Sequence, residues 1–430
     1  MFEIELATGT VSALVERGSW SHVTYRSDGV LHVVGQPDPW SHPSIASVWR
    51  READGTLTDL TGHLDRSTFP HAPAISPAGP QWVGNDFLTC VEDAGKVTVV
   101  RVDSDGAVTP ILGGDRAITG VSVSADGSLF AFVATDPVDP GELHIWDEGV
   151  ERVVTAINSD FRADASLVAP DHFTVVSDGV EIDAWVYLPE GTDRLPVLLN
   201  IHGGPATQYG FTFFDEFQMY AGAGYGVVAC NPRGSSGRGV EFVRAVTNDG
   251  WGIVDSKDVT AVLEAAMDRY ERLDDERIGV MGGSYGGFLT AWLIGRDHRF
   301  RSAVVERGLL SWVSFAGSSD IGATFGRFYL EADPPGGVDR LWEASPLALA
   351  DRITTPTLVL QSEQDYRCPI EQGEQLFSIL LRQGVDAEFV RFPGEGHELS
   401  RSGKPKHRQE RFQSIIEWHD RHLRVRDLQN

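Results

Sequence analysis

The stretch 277–288, RIGVMGGSYGGF, restricts what this chain can fold into more than any other part of it. Ile278, Val280 and Met281 make a short apolar run, Gly282-Gly283-Ser284-Tyr285-Gly286 follows, and Phe288, Leu289, Ala291, Trp292, Leu293 and Ile294 continue at helical spacing. That order is strand, sharp turn, helix, with a serine at the turn. A serine held there at strained backbone angles needs glycine two residues to either side, because a side chain would meet the neighbouring strand or helix. The pattern predicts a nucleophile elbow that presents Ser284 Oγ at the carboxyl edge of a sheet. A glycine-rich turn in any parallel sheet gives a similar string, so the rest of the chain must supply a base, an orienting acid and an oxyanion hole.

The flanking sequence has the grammar such an elbow requires. From about Phe161 onward apolar strands alternate with helices: LPVLLNIHGG, YGVVACNP, RIGVMGG, FRSAVVE, PTLVLQSE and AEFVRF are the strands. VDSKDVTAVLEAAMDRY, IEQGEQLFSILLRQG and QERFQSIIEWHDRHL are amphipathic at helical spacing. Alternating strand and helix means a mostly parallel, doubly wound sheet covered on both faces, the α/β-hydrolase arrangement. Residues 161–430 are therefore expected to form the catalytic domain, entered through the hairpin DHFTVVSDGVEIDAWVYLP.

Residues 1–160 read differently, as short strands joined by Asp-Gly turns such as Asp54-Gly55 and Asp105-Gly106. FEIELATGTVSALV, SVWRREADGTLTDL, TVVRVDSDGAVTPI and LHIWDEGVERVVT can be laid over one another, with turn glycines at Gly9, Gly55, Gly106 and Gly149. A second hairpin type falls between them, in VTYRSDGVLHVV, QWVGNDFLTCVE and VSVSADGSLFAFVA. Two alternating hairpins per period of roughly 40 to 50 residues predict an all-β, propeller-like domain of about three to four blades. Such a domain is either a very small closed ring or an open arc. The arc leaves strand edges unpaired, among them the one carrying Phe2, Ile4 and Leu6, and so predicts a homo-oligomer.

Composition excludes several partners. The formal net charge is −26 and no basic stripe is present, which argues against nucleic acid and anionic membranes. No apolar stretch approaches the ~20 residues that span a bilayer. Cys90, Cys230 and Cys368 lie far apart without a C-x-x-C, so a reduced, cytoplasmic setting is expected, with no metal and no cofactor.

An elbow of this kind takes its partners in the order serine, acid, histidine, each at the end of a later strand. Asp365 stands just past the strand of PTLVLQSEQDYRCP, and His397 just past that of AEFVRFPGEGHELS. His397 would take the Ser284 proton and return it to the leaving group, while Asp365 would hold the imidazole tautomer. The oxyanion donors would be the N–H of Tyr285, next after the serine, and that of Gly204 in the loop after LPVLLNI.

These residues sit in a set of ordered motifs: HGGP at 202–205, NPRGSSGRG at 231–239, NDGWGIVDSKDV at 248–259, GGSYGGF at 282–288, SEQDYRCPIEQGEQLF at 362–377 and FPGEGHELSRSGKPKHR at 392–408. With them the chain resembles the prolyl oligopeptidase family of serine peptidases, in particular its acylaminoacyl-peptidase-like branch. The resemblance implies a β-propeller capping an α/β-hydrolase, the triad Ser284, Asp365 and His397, and the oxyanion donors Gly204 and Tyr285. It further implies that Arg367 hydrogen-bonds a substrate carbonyl upstream of the scissile bond. It makes the loop GLLSWVSFAGSSDIGATFGRFYL the wall of an apolar pocket, with Leu309, Trp312 and Phe325 as candidates. Arg233 is expected to tie down its loop rather than touch substrate. Family propellers have more blades than this chain offers, and a paired-glutamate motif for gripping a free amino terminus is missing.

The expected activity is hydrolysis of amide bonds in short peptides or in N-acyl and aminoacyl small molecules, through an acyl-enzyme on Ser284. An esterase acting on small acyl esters uses the same machinery. A catalytically silent scaffold that binds through its β domain is the reading from another class.

Overall fold

The computed structural model describes residues 1–70 and 79–424. The chain forms two compact units: Met1–Ser166 with Ala206–Phe214 and Ser235–Arg244 make the first, and Leu167–Pro205, Asp215–Gly234 and Ala245–Asn430 the second.

In the first unit every Asp-Gly signal becomes a turn between antiparallel strands. A hairpin of β1 (Phe2–Ile4) and β2 (Val11–Ala13) stands first. A four-stranded meander follows, of β3 (Ser19–Tyr25), β4 (Leu31–Gln36), β5 (Ser47–Arg51) and β6 (Leu57–Asp59). The next comprises β7 (Gln81–Val83), β8 (Asp86–Asp93), β9 (Lys96–Val102) and β10 (Val108–Leu112). The last comprises β11 (Ala117–Val123), β12 (Leu129–Asp136), β13 (Asp139–Asp147) and β14 (Val150–Val153), and touches its predecessor through the parallel pair Ala117–Val97. Gly55 and Gly106 both turn at φ 88°, a conformation open to glycine at little cost.

The strand period of two explains how the meanders stack. Leu88 and Cys90 on β8, with Val97 and Val99 on β9, pack against Phe130 and Phe132 of β12. The opposite faces of the same strands, Phe87 and Val91 with Val100 and Val102, pack against Val34, Val48 and Leu60. The middle meander is thus buried on both sides. Outer faces are not: Val23 and Tyr25 on β3, and Val150 and Val153 on β14, are exposed, as are Phe2, Ile4 and Val11 in the first hairpin.

The second unit is built on one eight-stranded sheet, of β15 (Asp171–Ser177), β16 (Val180–Tyr187), β17 (Leu195–Ile201), β18 (Gly226–Cys230), β19 (Leu273–Gly283), β20 (Ser302–Glu306), β21 (Thr357–Ser362) and β22 (Ala387–Phe392). Its order is β15-β16-β18-β17-β19-β20-β21-β22. The first two strands are antiparallel to their neighbours, and all later pairs are parallel. This is the α/β-hydrolase fold. Strands buried on both faces read as continuous apolar runs, which is why Val197, Leu198, Val227, Val228, Val280, Val304 and Leu358 are almost wholly removed from solvent. In register, Gly283 pairs with Glu306, Glu306 with Leu360, and Ser362 with Phe392, so the carboxyl ends of β19 to β22 lie along one edge.

A buried charge cluster underlies that edge. Arg411, on the helix Pro405–Leu423, donates from Nε and Nη2 to the two carboxylate oxygens of Glu306 at 2.8 and 2.7 Å, and its Nη2 lies 3.1 Å from Glu216. Burial alone would push the Glu306 carboxyl up, but Arg307 and Arg411 outweigh it and hold it at about 2. Among the described residues no helix is long and apolar enough to cross a membrane, and the three cysteines are free and buried. Removing one member of a buried pair strands the other charge. Arg411→Met is therefore expected to lower the stability of this unit by about 3 to 5 kcal/mol, read from the urea midpoint at neutral pH.

Candidate active site

Ser284 follows β19 directly and caps the helix Tyr285–Ile294 at φ 62° and ψ −118°. Such angles cost a non-glycine residue strain, and the surroundings hold them in place. Ser284 N–H donates to the Glu306 carbonyl at 3.0 Å, and the Ser284 carbonyl accepts from Phe288 N–H at 2.9 Å. The flanking glycines answer to contact distances. A Cβ on Gly286 would stand 2.1 Å from the Ile201 carbonyl oxygen, and one on Gly282 would stand 2.6 Å from the same atom.

Asp365 and His397 come together across the ends of β21 and β22. His397 Nδ1 lies 2.8 Å from Asp365 Oδ2. The acid's other oxygen accepts from the backbone N–H groups of Arg367 at 2.9 Å and Cys368 at 2.8 Å, and Gln361 Nε2 reaches Oδ2 at 3.3 Å. The Asp365 carboxylate is thus fully enclosed and fixed in direction. Burial is the main cause that lowers the His397 imidazole below its ordinary value; the bond to Asp365 opposes it and the Arg307 cation adds to it. Ser284 lies beside the Cys368 thiol, which burial pushes up and so keeps protonated.

A small cavity of about 90 Å³ opens at the serine, lined by Gly204, Ser284, Tyr285, Trp251, Leu309, Phe315, Ile321, Phe325, Arg367 and Cys368. Both candidate oxyanion donors line it, as do Leu309 and Phe325 of the candidate pocket wall. Gly204 takes φ 124°, and its neighbour Gly203 packs so close that a Cβ there would be 3.2 Å from the Gly283 carbonyl. Trp312 does not line the cavity. It is fully buried and stacks on Phe325 with ring centroids 5.4 Å apart, so it backs the wall rather than facing the space.

Arg367 also lines the cavity, but its guanidinium is not free. Nε and Nη2 donate to the two oxygens of Asp320 at 2.7 and 3.2 Å. Backbone bonds lock the same two loops: Asp320 N–H donates to the Tyr366 carbonyl at 2.8 Å and Ser319 Oγ to the Arg367 carbonyl at 2.6 Å. Among the described residues these bonds use two of the five guanidinium protons. Nothing in sequence spacing flags Asp320, because the pair is 47 residues apart and joins two irregular loops.

The motif NDGWGIVDSKDV proves to be support. Asp255, wholly buried, accepts from the Tyr285 hydroxyl and from Gly252 and Ser256 N–H. Burial pushes its carboxyl up to about 6 against those three bonds. Asp258 takes Arg233 on both oxygens, Nε at 2.9 Å and Nη2 at 2.7 Å, and also accepts its backbone N–H, so Arg233 does tie down its loop. Trp251 of the same motif is a cavity wall. Among the described residues no group of three or more His, Cys, Asp or Glu side chains is arranged to hold a metal ion.

Comparison with known proteins agrees with this architecture. The family model described as Prolyl oligopeptidase family matches residues 211–426. The chain is similar to Uncharacterized peptidase YuxL of Bacillus subtilis, with 38% identity over 397 residues that cover 89% of this chain and 60% of that protein. It is similar in structure to Pyrococcus horikoshii acylaminoacyl peptidase, with a TM-score of 0.88 and 27% identity over 98% of this chain and 66% of that one. An acylaminoacyl peptidase in complex with Z-Gly-Gly-Phe-chloromethyl ketone matches with the same TM-score, 0.88, and the same identity, 27%, over 98% of this chain and 66% of that one. The chain therefore spans a little under two thirds of the length of these relatives.

The glycine contacts give a paired test. Gly286→Ala is expected to destabilise the unit by about 1 to 3 kcal/mol or more, since neither backbone can retreat. Gly222→Ala, with nothing within 4 Å at the end of the helix Asp215–Gly222, is expected to be neutral or stabilising by about 0.5 to 1 kcal/mol. Denaturant midpoints of the two variants measure both.

Proposed function

Because the chain belongs to the prolyl oligopeptidase family, we propose that it is a serine hydrolase that cleaves amide bonds of short peptides or of N-acyl and aminoacyl small molecules. Ser284 Oγ attacks the substrate carbonyl carbon as its proton passes to His397 Nε2, and the carbonyl oxygen, now an oxyanion, accepts hydrogen bonds from the Tyr285 and Gly204 N–H groups. His397 then gives the proton to the departing amine, leaving an acyl-enzyme on Ser284. Water, deprotonated by the same imidazole, attacks the acyl carbon and restores the serine. Asp365 stays ionised throughout and stabilises the imidazolium.

The observation that carries this reading is the convergence of an enclosed Asp365–His397 pair and a strained Ser284 at one sheet edge, with Gly204 and Tyr285 lining the cavity at the serine. The apolar lining by Leu309, Phe315, Ile321 and Phe325 supports an apolar side chain before the scissile bond. The Phe residue of the ligand carried by the similar acylaminoacyl peptidase is of that kind. Arg367, steered by Asp320, takes the carbonyl upstream. Self-association through the exposed strand edges belongs to the same proposal.

Ser284→Ala and His397→Ala are each expected to lower kcat/KM on an N-acyl-phenylalanyl amide by about 10⁴-fold or more, because such residues act as a unit. Retention of more than a few per cent by Ser284→Ala removes the assignment. Arg367→Ala is expected to impair longer peptide amides by about 10-fold more than small aryl esters, which have no upstream carbonyl, at roughly 1.5 to 3 kcal/mol per charge-assisted bond. Equal loss on the two substrates would assign Arg367 a structural role.

A further inference from the structure

Directly after β20 stands Arg307, a residue outside every motif considered so far. It is buried, with φ 39°, in the left-handed region where an arginine is uncommon. Each part of it meets a different piece of the candidate triad. Its backbone N–H donates to the Leu360 carbonyl at 2.9 Å, on the strand that leads to Asp365. Its guanidinium lies against the elbow so closely that a Cβ on Gly283 would stand 2.8 Å from Cζ. Its Nη2 donates to Ser400 Oγ at 3.1 Å, three residues beyond His397. Its Nη1 ion-pairs with Glu306 at 2.7 Å, and the Glu306 backbone carbonyl is the acceptor for Ser284 N–H. Neither Nε nor Nη1 has a hydrogen-bond partner among the described residues, so Nη1 meets Glu306 as an ion pair only. A buried cation with unsatisfied donors carries a desolvation cost.

We propose that Arg307 is a positioning residue for the triad, a buried cation that ties the elbow, the strand carrying the acid and the histidine loop into one frame and acts on the imidazole through its charge. The inference rests on the proposed hydrolase activity. Among the charged groups that act on His397, Asp365, Glu398 and Asp320 are negative and Arg307 is positive, and Asp320 and Glu398 are themselves ion-paired with Arg367 and Arg401. The carboxylates favour the imidazolium and the guanidinium opposes it. With Arg307 in place the imidazole stays neutral, and able to accept the serine proton, to a lower pH. Without it, one opposing charge is lost from beside the imidazole, and the imidazolium persists to a higher pH. A residue that only filled space would change the folded population or the rate without moving that titration.

The test is the pH dependence of kcat/KM on a small aryl ester, which makes no use of Arg367. In Arg307→Met the acid limb is expected to move up by about 0.5 to 1 pH unit. Its kcat is expected to fall about 10- to 100-fold from misplacement of the base, with little change in KM. Arg307→Lys, which keeps the charge, is expected to hold the acid limb close to its wild-type position while lowering kcat less. Ser400→Ala cuts the tie to the histidine loop and leaves the cation, so kcat is expected to fall about 3-fold or more with the limb unmoved. An acid limb that stays in place in Arg307→Met overturns the proposal, whatever happens to kcat. If Arg307→Met does not fold, the other two variants decide: wild-type kcat in Ser400→Ala, or an acid limb in Arg307→Lys displaced as far as a full pH unit, overturns it. Absence of Ser284-dependent turnover in the wild type would instead remove the hydrolase reading, a failure separable from equal behaviour of active variants.

Discussion

The edge that carries the candidate triad depends on how near two neighbouring parallel strands can bring their backbones. At the elbow the end of β17 and the first turn of the helix Tyr285–Ile294 meet with no room for a single methyl group, since the Ile201 carbonyl faces both Gly282 and Gly286. That approach forces the chain to reverse within one residue. Ser284 absorbs the reversal at positive φ. The register of β19 to β22 sets the rest: because their carboxyl ends are level, the loops bearing Asp365 and His397 emerge at the same edge as the serine.

Buried charge fixes the directions of several groups in this geometry. Glu306 joins the two uses: its backbone carbonyl anchors the serine amide, and its side chain is held between Arg307 and Arg411. Asp255 under the Tyr285 ring and Asp258 under Arg233 act in the same way, each a fully enclosed carboxylate whose hydrogen bonds offset its desolvation. Such groups are poor choices for stability alone, because well-packed hydrophobic residues often serve as well. What they add is direction. A carboxylate with two or three fixed donors has one orientation, and so does whatever it holds.

Much of this was legible in the sequence, for identifiable reasons. Strand and helix periods, Asp-Gly turns and the glycines of the elbow are local signals, and the strands of both units lie where the spacing predicts them. The hydrogen bond between Asp365 and His397 joins two residues that the sequence places just past consecutive strands. Pairings between distant irregular loops were not legible: the Asp320 partner of Arg367 and the Ser400 partner of Arg307 have no periodicity to betray them. Trp312 was misread as a cavity wall because an aromatic residue in a loop gives no sign of which layer it fills, and here Phe325 stands in front of it. The division of the chain was also finer than a linear reading allows, since Ala206–Phe214 and Ser235–Arg244 belong to the β unit although the hydrolase sequence surrounds them. Their backbone bonds, such as Phe211 N–H to the Gly95 carbonyl at 2.7 Å, leave no trace in composition.

The most direct measurement of the central claim, that Ser284 is an activated nucleophile, is reaction of the native protein with a fluorophosphonate followed by peptide mass mapping. A serine hydroxyl without a base beside it does not react at neutral pH, so the reagent reports the whole arrangement rather than the presence of the residue. The expected result is a single stoichiometric adduct on the peptide that contains Ser284, lost in His397→Ala although the serine remains. No adduct, or an adduct that persists unchanged in His397→Ala, would contradict it.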